Sequence, residues 1–595
     1  MMQDGSQFAM TRHLLGRSVF VFSALVFTFV ATVVFGQTTS EPEPSVSKTP
    51  AASSAAKSNQ TGLPQQVSKI NEEIRKGWKD AGLKPAGAAS DGEWCRRVYL
   101  DVIGRVPSVE ELNAFINSKE KDKRSKLINS LLYNEKYTDD FVRNWTTIWT
   151  NILIGRSGGT GEDRLTSRAG MQKYLRDAFA NNKPYDRMVV ELVTARGVSQ
   201  PGEDGFNGAV NFLANKLDED GAQATAQTSR IFLGLQVQCT QCHNHPFNDW
   251  KQQKYWEFNA FFRQARVLRR FEQGGNRPTS IELVNQDFTG EGSTPTNAEI
   301  YYEQRNGVLK SAYPVFVDNT AIKTSGYVTE VDRRNELAKL MKESEYLPKA
   351  AVNRLWGHFL GYGFTKPVDD LGPHNNPSHP ELLNYLGEEF AKNSFDFRKL
   401  ISWIVLSDPY SLSSAGAPKP SASTAGAAKT GDDPTVGDTP KFSRFYLRQM
   451  RAEELYESLV VATEAQKSRG SYEEQEAEKR EWLSQFVLAF GNDEGEEATT
   501  FNGTIPQALM LFNGDLIKKA ISEEPGSFLA RLNGSARLKP EQKVEYLFMA
   551  ALARKPSKEE LAAAARLQAL RGNPLHGLQD LWWALLNSNE FIINH

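Results

Sequence analysis

Cysteine is scarce, with three in 595 residues, too few for a disulfide-stapled scaffold. Neither sign of charge is in excess: 70 Lys and Arg stand against 72 Asp and Glu. No basic stripe interleaves with aromatics, so nucleic-acid binding lacks an electrostatic footprint. Gly202-Glu203-Asp204-Gly205 reads as a turn, because no G-x-x-x-x-G-K-[ST] phosphate cradle follows, and no H-E-x-x-H zinc helix occurs. Methionine is absent between Met188 and Met341, which matters below for metal ligation.

What is present is a long chain with 40% hydrophobic and 24% charged residues, enough to fold into two or three domains. Arg12, His13 and Arg17 precede an uncharged apolar run from Ser18 to Gly36. This is the layout of a secretory signal, and its length also suits a membrane anchor. Either reading of residues 1–36 puts the rest of the chain outside the cytoplasm, in the periplasm, on the surface or secreted. Residues 37–64 and 414–441 are rich in Ser, Thr, Pro and Ala and are expected to be disordered linkers.

Elsewhere the apolar spacing is mainly helical, as in Leu112/Phe115/Ile116 and Val352/Leu355/Trp356/Phe359. Trp145 and Trp149, four apart, read as core. Three helix starts share a Ser followed three residues later by Glu: Ser108/Glu111, Ser557/Glu560 and Ser378/Glu381. The predicted fold is mostly α: a helical domain over 65–264, a β-rich connector over 265–330 and a second helical domain over 331–595. Within the connector, strands are predicted at Ile281–Val284, Tyr313–Val317 and Gly326–Val331.

The strongest chemical signal is Cys239-Thr240-Gln241-Cys242-His243, followed by Asn244-His245-Pro246. C-x-x-C-H is the attachment pattern of c-type haem. Two thiols three apart reach the two vinyl groups of a porphyrin, and the adjacent imidazole reaches the iron. The spacing predicts a helix running to about Pro246 with Cys239, Cys242 and His243 on one face of its last turn. Export agrees with this chemistry, since such attachment takes place outside the cytoplasm. With no nearby Met, the sixth iron position falls to a histidine, such as His358, His374 or His379, or stays open. Three other readings compete: a Cys239–Cys242 disulfide, a zinc site that adds His245, and simple packing. Asp369-Asp370 with His374 and His379 form a second group, most simply a loop and a helix start. His358 reads as a core-edge histidine and Cys95 as a buried, inert thiol. No catalytic constellation stands out.

Longer motifs carry a resemblance. Arg97-Val98-Tyr99-Leu100-Asp101-Val102-Ile103-Gly104-Arg105-Val106-Pro107, Thr194-Ala195-Arg196-Gly197 and the run from Phe232 through Cys239-Thr240-Gln241-Cys242-His243 to Phe247 resemble a planctomycete cytochrome-type domain of unknown function. Val352-Asn353-Arg354-Leu355-Trp356-Gly357-His358-Phe359, Pro367-Val368-Asp369-Asp370 and Arg451-Ala452-Glu453-Glu454-Leu455 resemble its partner, a planctomycete-specific module. The resemblance implies an exported two-domain family with no assigned reaction. Haem c on Cys239, Cys242 and His243 is expected to serve electron transfer or redox partnering outside the cytoplasm. The alternative is a haem-free interaction protein in which the cysteines form a disulfide or structural staple. Two positions depart from the family pattern: Asn248 stands where an acid commonly follows His-Pro-Phe, and Lys254 where an acid commonly precedes the aromatic pair. Any role of that first acid in orienting His243 or His245 is then open here, with Asp249 as a neighbouring substitute.

Overall fold

Local capping chemistry sets where the helices begin. In the computed structural model, which describes residues 63–595 apart from 157, 160–165, 249, 273, 291–297, 416–431, 465–470 and 491–514, helix α1 spans Gln65–Asp80 and α2 spans Asp91–Ile103. The Ser90 hydroxyl accepts the Glu93 N–H at 3.2 Å and starts α2. Gly104, at φ +75°, ends it, and a Cβ there would meet Asn144 Oδ1 at 2.6 Å. Ser108 and Glu111 form a full capping box for α3 (Val109–Ile116), and Ser557 and Glu560 do the same for the helix Lys558–Arg571. In both, an arginine three residues before the serine holds the box glutamate: Arg105 to Glu111 at 2.9 Å and Arg554 to Glu560 at 2.8 Å.

The third expected box does not form. The N-cap there is His379, with Pro380 opening the helix and no side-chain cap. The Ser378 hydroxyl lies instead 3.0 Å from His379 Nδ1. The His379 ring packs against Phe364 and Phe442, so it serves as core. Burial, reinforced by Lys441, pushes its pKa down to about 4. Between that value and the ordinary 6.5, the unfolded chain binds a proton that the folded one refuses. Stability therefore falls as pH drops through this window, by about 2 kcal/mol between pH 7.5 and 5 for this group. Urea unfolding at the two pH values should show His379→Gln losing about that much less than the wild type. Equal losses would show that the ring protonates freely in the fold.

The N-terminal half continues with α4 (Lys123–Tyr133), α5 (Glu135–Ile154), α6 (Arg168–Ala180), α7 (Tyr185–Thr194), α8 (Asp218–Thr228) and α9 (Gln252–Asn259). The C-terminal half opens with α10 (Arg333–Glu343), α11 (Tyr346–Leu360), α12 (Pro380–Lys392), α13 (Phe397–Val405) and α14 (Ala452–Ala462). Further helices run to Ile592. No described helix is long and apolar enough to cross a membrane; the expected signal or anchor, 1–36, lies outside the described residues, as does nearly all of the expected linker that follows it.

The two helical regions share one hydrophobic core, which runs from Val67 to Ile592. Trp145 on α5 shows why. It packs edge-on against Phe397 of α13 at 4.7 Å and meets Phe359 of α11 at 6.1 Å. Asp101, fully buried on α2, fastens three distant segments: it accepts from the Tyr410 hydroxyl at 2.7 Å, from Asn594 Nδ2 at 2.7 Å and from the Arg448 guanidinium. Arg96 and Arg97 reach the chain end in the same way, donating to the carbonyls of Phe591, Ile593 and His595. His358 sits at this junction, bonded through Nε2 to the Asp101 carbonyl at 3.1 Å and packed on Trp145. Cys95 is buried, and burial pushes its thiol well up, in keeping with an inert packing role.

The connector is β-rich, though two of its strands differ from expectation. β1 (Gly197–Val198), β2 (Ala265–Phe271) and β3 (Pro278–Asn285) form an antiparallel sheet in the order β1-β3-β2. Ile281 and Leu283 of β3 alternate into the core. The second pair is β4 (Ile300–Glu303) with β5 (Leu309–Ala312). Of the segments expected as strands, 313–317 makes an isolated antiparallel bridge, Val315 with Ala321, and 326–331 is a turn. Pro314 lacks an N–H for a ladder, the Phe316 N–H closes onto Thr320 O, and the Glu330 and Val331 N–H groups both close onto Tyr327 O. The expected loop 414–441 is fixed at its C-terminal end, where buried Asp432 accepts from the Lys441 and Ser443 N–H groups. Its middle, 416–431, lies outside the described residues.

Candidate functional site

The helix expected to carry the Cys-His cluster stops at Leu233, six positions before Cys239. A π-turn over Ser229–Leu233 closes at Gly234, φ +65°. The positive φ favours glycine, and a Cβ there would also press on Leu371 Cδ1 at 2.9 Å. The chain reverses there, with the Ser229 hydroxyl donating to Leu235 O at 2.7 Å. A short 3-10 turn, Gln238–Gln241, then presents the motif. Cys239, Cys242 and His243 are thus neighbours on one tight turn rather than on one face of an α-helix.

That turn is pinned from behind and open in front. The Gln241 carbonyl accepts from Trp256 Nε1 and Gln252 Nε2, both at 3.1 Å, which ties it to α9. The Thr240 hydroxyl donates to Val237 O at 2.6 Å. Cys239 and Cys242 are free thiols exposed at the surface. Phe247, 77% exposed, stands in the same loop. Partial burial raises the Cys239 thiol pKa, so this sulfur rests protonated, unlike an activated nucleophilic thiolate.

The hydrogen bonds distinguish the histidines. His243 Nδ1 lies 2.7 Å from the Asn244 carbonyl. A carbonyl only accepts, so Nδ1 carries the proton and Nε2 keeps its lone pair for a metal. His245 is the reverse: its Nδ1 accepts the Phe247 N–H at 3.2 Å. Partial burial, then neighbouring His374, holds His245 below its usual pKa.

The C-terminal half builds the adjoining wall. Asp369, buried, accepts from Arg230 at 3.1 Å and from Gln236 at 2.9 Å. The Leu371 N–H donates to Gly234 O at 2.6 Å. His374 follows, with its ring centroid 4.9 Å from that of His245, Nε2 at 3.1 Å from Asp370 Oδ2 and Nδ1 at 3.0 Å from Asn248 Nδ2. The second residue group expected from sequence is therefore divided: Asp370 and His374 lie against the loop that follows the cysteine turn, while His379, like His358, belongs to the core. Asn248, at the position where the family pattern carries an acid, touches His374 rather than His243 or His245. Asp249 lies outside the described residues. Lys254 turns away to Asn319 Oδ1 at 2.8 Å.

These residues fit a covalently held haem: two exposed thiols three apart, an adjacent imidazole with a free Nε2, and an exposed aromatic beside them. Among the described residues, no three His, Cys, Asp or Glu side chains converge as around a bare metal ion. Zinc wants about four such donors, whereas haem iron takes four nitrogens from its porphyrin.

The family models agree with this layout. Residues 69–267 match PSCyt2, a protein of unknown function (DUF1549), and residues 333–568 match PSD1, a protein of unknown function (DUF1553). The chain belongs to this two-domain family. The Cys-His turn lies within the PSCyt2 region, and Asp370 and His374 within the PSD1 region. Searches of curated proteins and of solved structures give no match.

Proposed function

We propose that this PSCyt2–PSD1 protein holds haem c through Cys239 and Cys242 and works in electron transfer or redox partnering outside the cytoplasm. The observation that carries the reading is the turn Gln238–His243, with both thiols exposed and the His243 Nε2 lone pair left free by the Nδ1 bond to Asn244. Each Cys Sγ–H would add across one vinyl group, its hydrogen passing to a vinyl carbon as the thioether forms. His243 Nε2 would ligate the iron. Bound there, the haem supplies a one-electron couple. Gln241, Gln252 and Trp256 hold the turn so that both sulfurs face outward, and exposed Phe247 offers apolar contact to a haem edge or a partner. The charged-then-apolar N-terminus supports export.

The full chain should be made in a host that exports proteins and matures c-type haem. The purified protein is expected to show a Soret band that survives denaturation and a mass increased by one haem. Colourless protein with a Cys239–Cys242 disulfide would replace this reading with that of a haem-free interaction protein.

A further inference from the structure

Building on that reading, we infer that His374, from the PSD1 half, is the second axial ligand of the iron, so that the two modules complete one site. A chain of hydrogen bonds fixes its tautomer. The Trp250 N–H donates to Asn248 Oδ1 at 2.8 Å, which orients the amide and leaves Nδ2 to donate to His374 Nδ1. Nδ1 is therefore the acceptor, and Nε2 carries the proton that faces Asp370 Oδ2. Asp370 is itself held, its Oδ1 accepting the Gly372 N–H at 3.1 Å.

Metal-ligating histidines share this arrangement: one ring nitrogen donates to a carboxylate, which sets the ring and makes it a better donor to the metal, while the other offers a lone pair. Here an amide N–H occupies that lone pair in the place of a metal. Exchanging Asn248 for iron requires no proton transfer, because the Nε2–H stays on Asp370. The other candidates are worse placed. His358 Nε2 bonds the Asp101 carbonyl, and His379 packs between Phe364 and Phe442 in the core. His245 lies close by with its Nδ1 likewise taken by an N–H, that of Phe247, but among the described residues no carboxylate holds its other nitrogen as Asp370 holds that of His374.

The test uses the full haem-loaded chain, read by ferric absorption and electron paramagnetic resonance. The wild type is expected to be six-coordinate and low-spin, without the sulfur–iron band of Met ligation. His374→Ala should turn high-spin while the haem stays covalently attached, and added imidazole should restore the low-spin signal. His245→Ala should stay low-spin. Asp370→Asn, which keeps the loop but weakens the basicity of His374, should shift the reduction potential positive; this readout stands even if His374→Ala folds poorly. A low-spin His374→Ala, a high-spin wild type or a high-spin His245→Ala would overturn the assignment with haem c left intact. A colourless wild type would sink the haem reading itself.

Discussion

Cys239→Ala combined with Cys242→Ala is expected to abolish covalent haem completely, with the unfolding midpoint of the apo protein almost unchanged. Both side chains are exposed and free, and the turn that presents them is held by other atoms: the Gln241 carbonyl through Gln252 and Trp256, and Thr240 through Val237. Surface substitutions of this kind usually alter stability by no more than about 0.5 kcal/mol. Haem staining on a denaturing gel should vanish while the far-ultraviolet circular dichroism of the apo protein persists. Staining that survives the double substitution would mean that the pigment is held elsewhere. A collapse of the fold would mean that the cysteines are structural, as the staple alternative requires.

Asp101→Ala is expected to be the most damaging single change to the fold, costing about 3–5 kcal/mol. The carboxylate is buried, and burial lifts its pKa to about 6 against the pull of Arg448 and the Tyr410 hydroxyl, so it is ionised at neutral pH. Removing it leaves the Arg448 guanidinium, the Tyr410 hydroxyl and Asn594 Nδ2 short of their acceptor. An unpaired buried cation costs far more than a lost surface pair. The damage should spread to the pairing of β6 (Arg448–Gln449) with β7 (Ile593–Asn594), which joins the chain end to the α2 region. Urea unfolding provides the measurement. A loss below about 1 kcal/mol would show that water or a rearranged Asn594 takes over the carboxylate's bonds. Asp101→Asn, which retains an acceptor oxygen, should be milder.

The parts of this protein that are legible in the sequence are those set by near neighbours. Capping at Ser108 and Ser557 depends on residues three positions apart, the helical stripes of α3 and α11 on spacings of three and four, and the β3 strand on alternation around Ile281 and Leu283. Where an expectation failed, a distant partner had intervened. At Gly234, where the π-turn ends in a left-handed glycine, Leu371 from far along the chain lies against the backbone. Ser378 does not cap α12 because His379 is drawn into the core by Phe364 and Phe442.

The sequence by itself determined the chemistry available at the candidate site. Cys239, Cys242 and His243 are contiguous, and their side-chain types and spacing suffice to suggest the cofactor without any fold. It also determined the two-domain layout, whose motifs are long local strings. Tertiary structure alone decided which of the distant histidines stands beside them. His358, His374 and His379 are equivalent by composition, yet only His374 is brought to the turn, through Asp369 on Arg230 and Leu371 on Gly234. Tertiary structure also decided that the two domains share one core, because Asp101, Arg96 and Arg97 lose their hydration on burial and find partners on segments more than 300 residues away, Arg97 adding one local bond to Glu93.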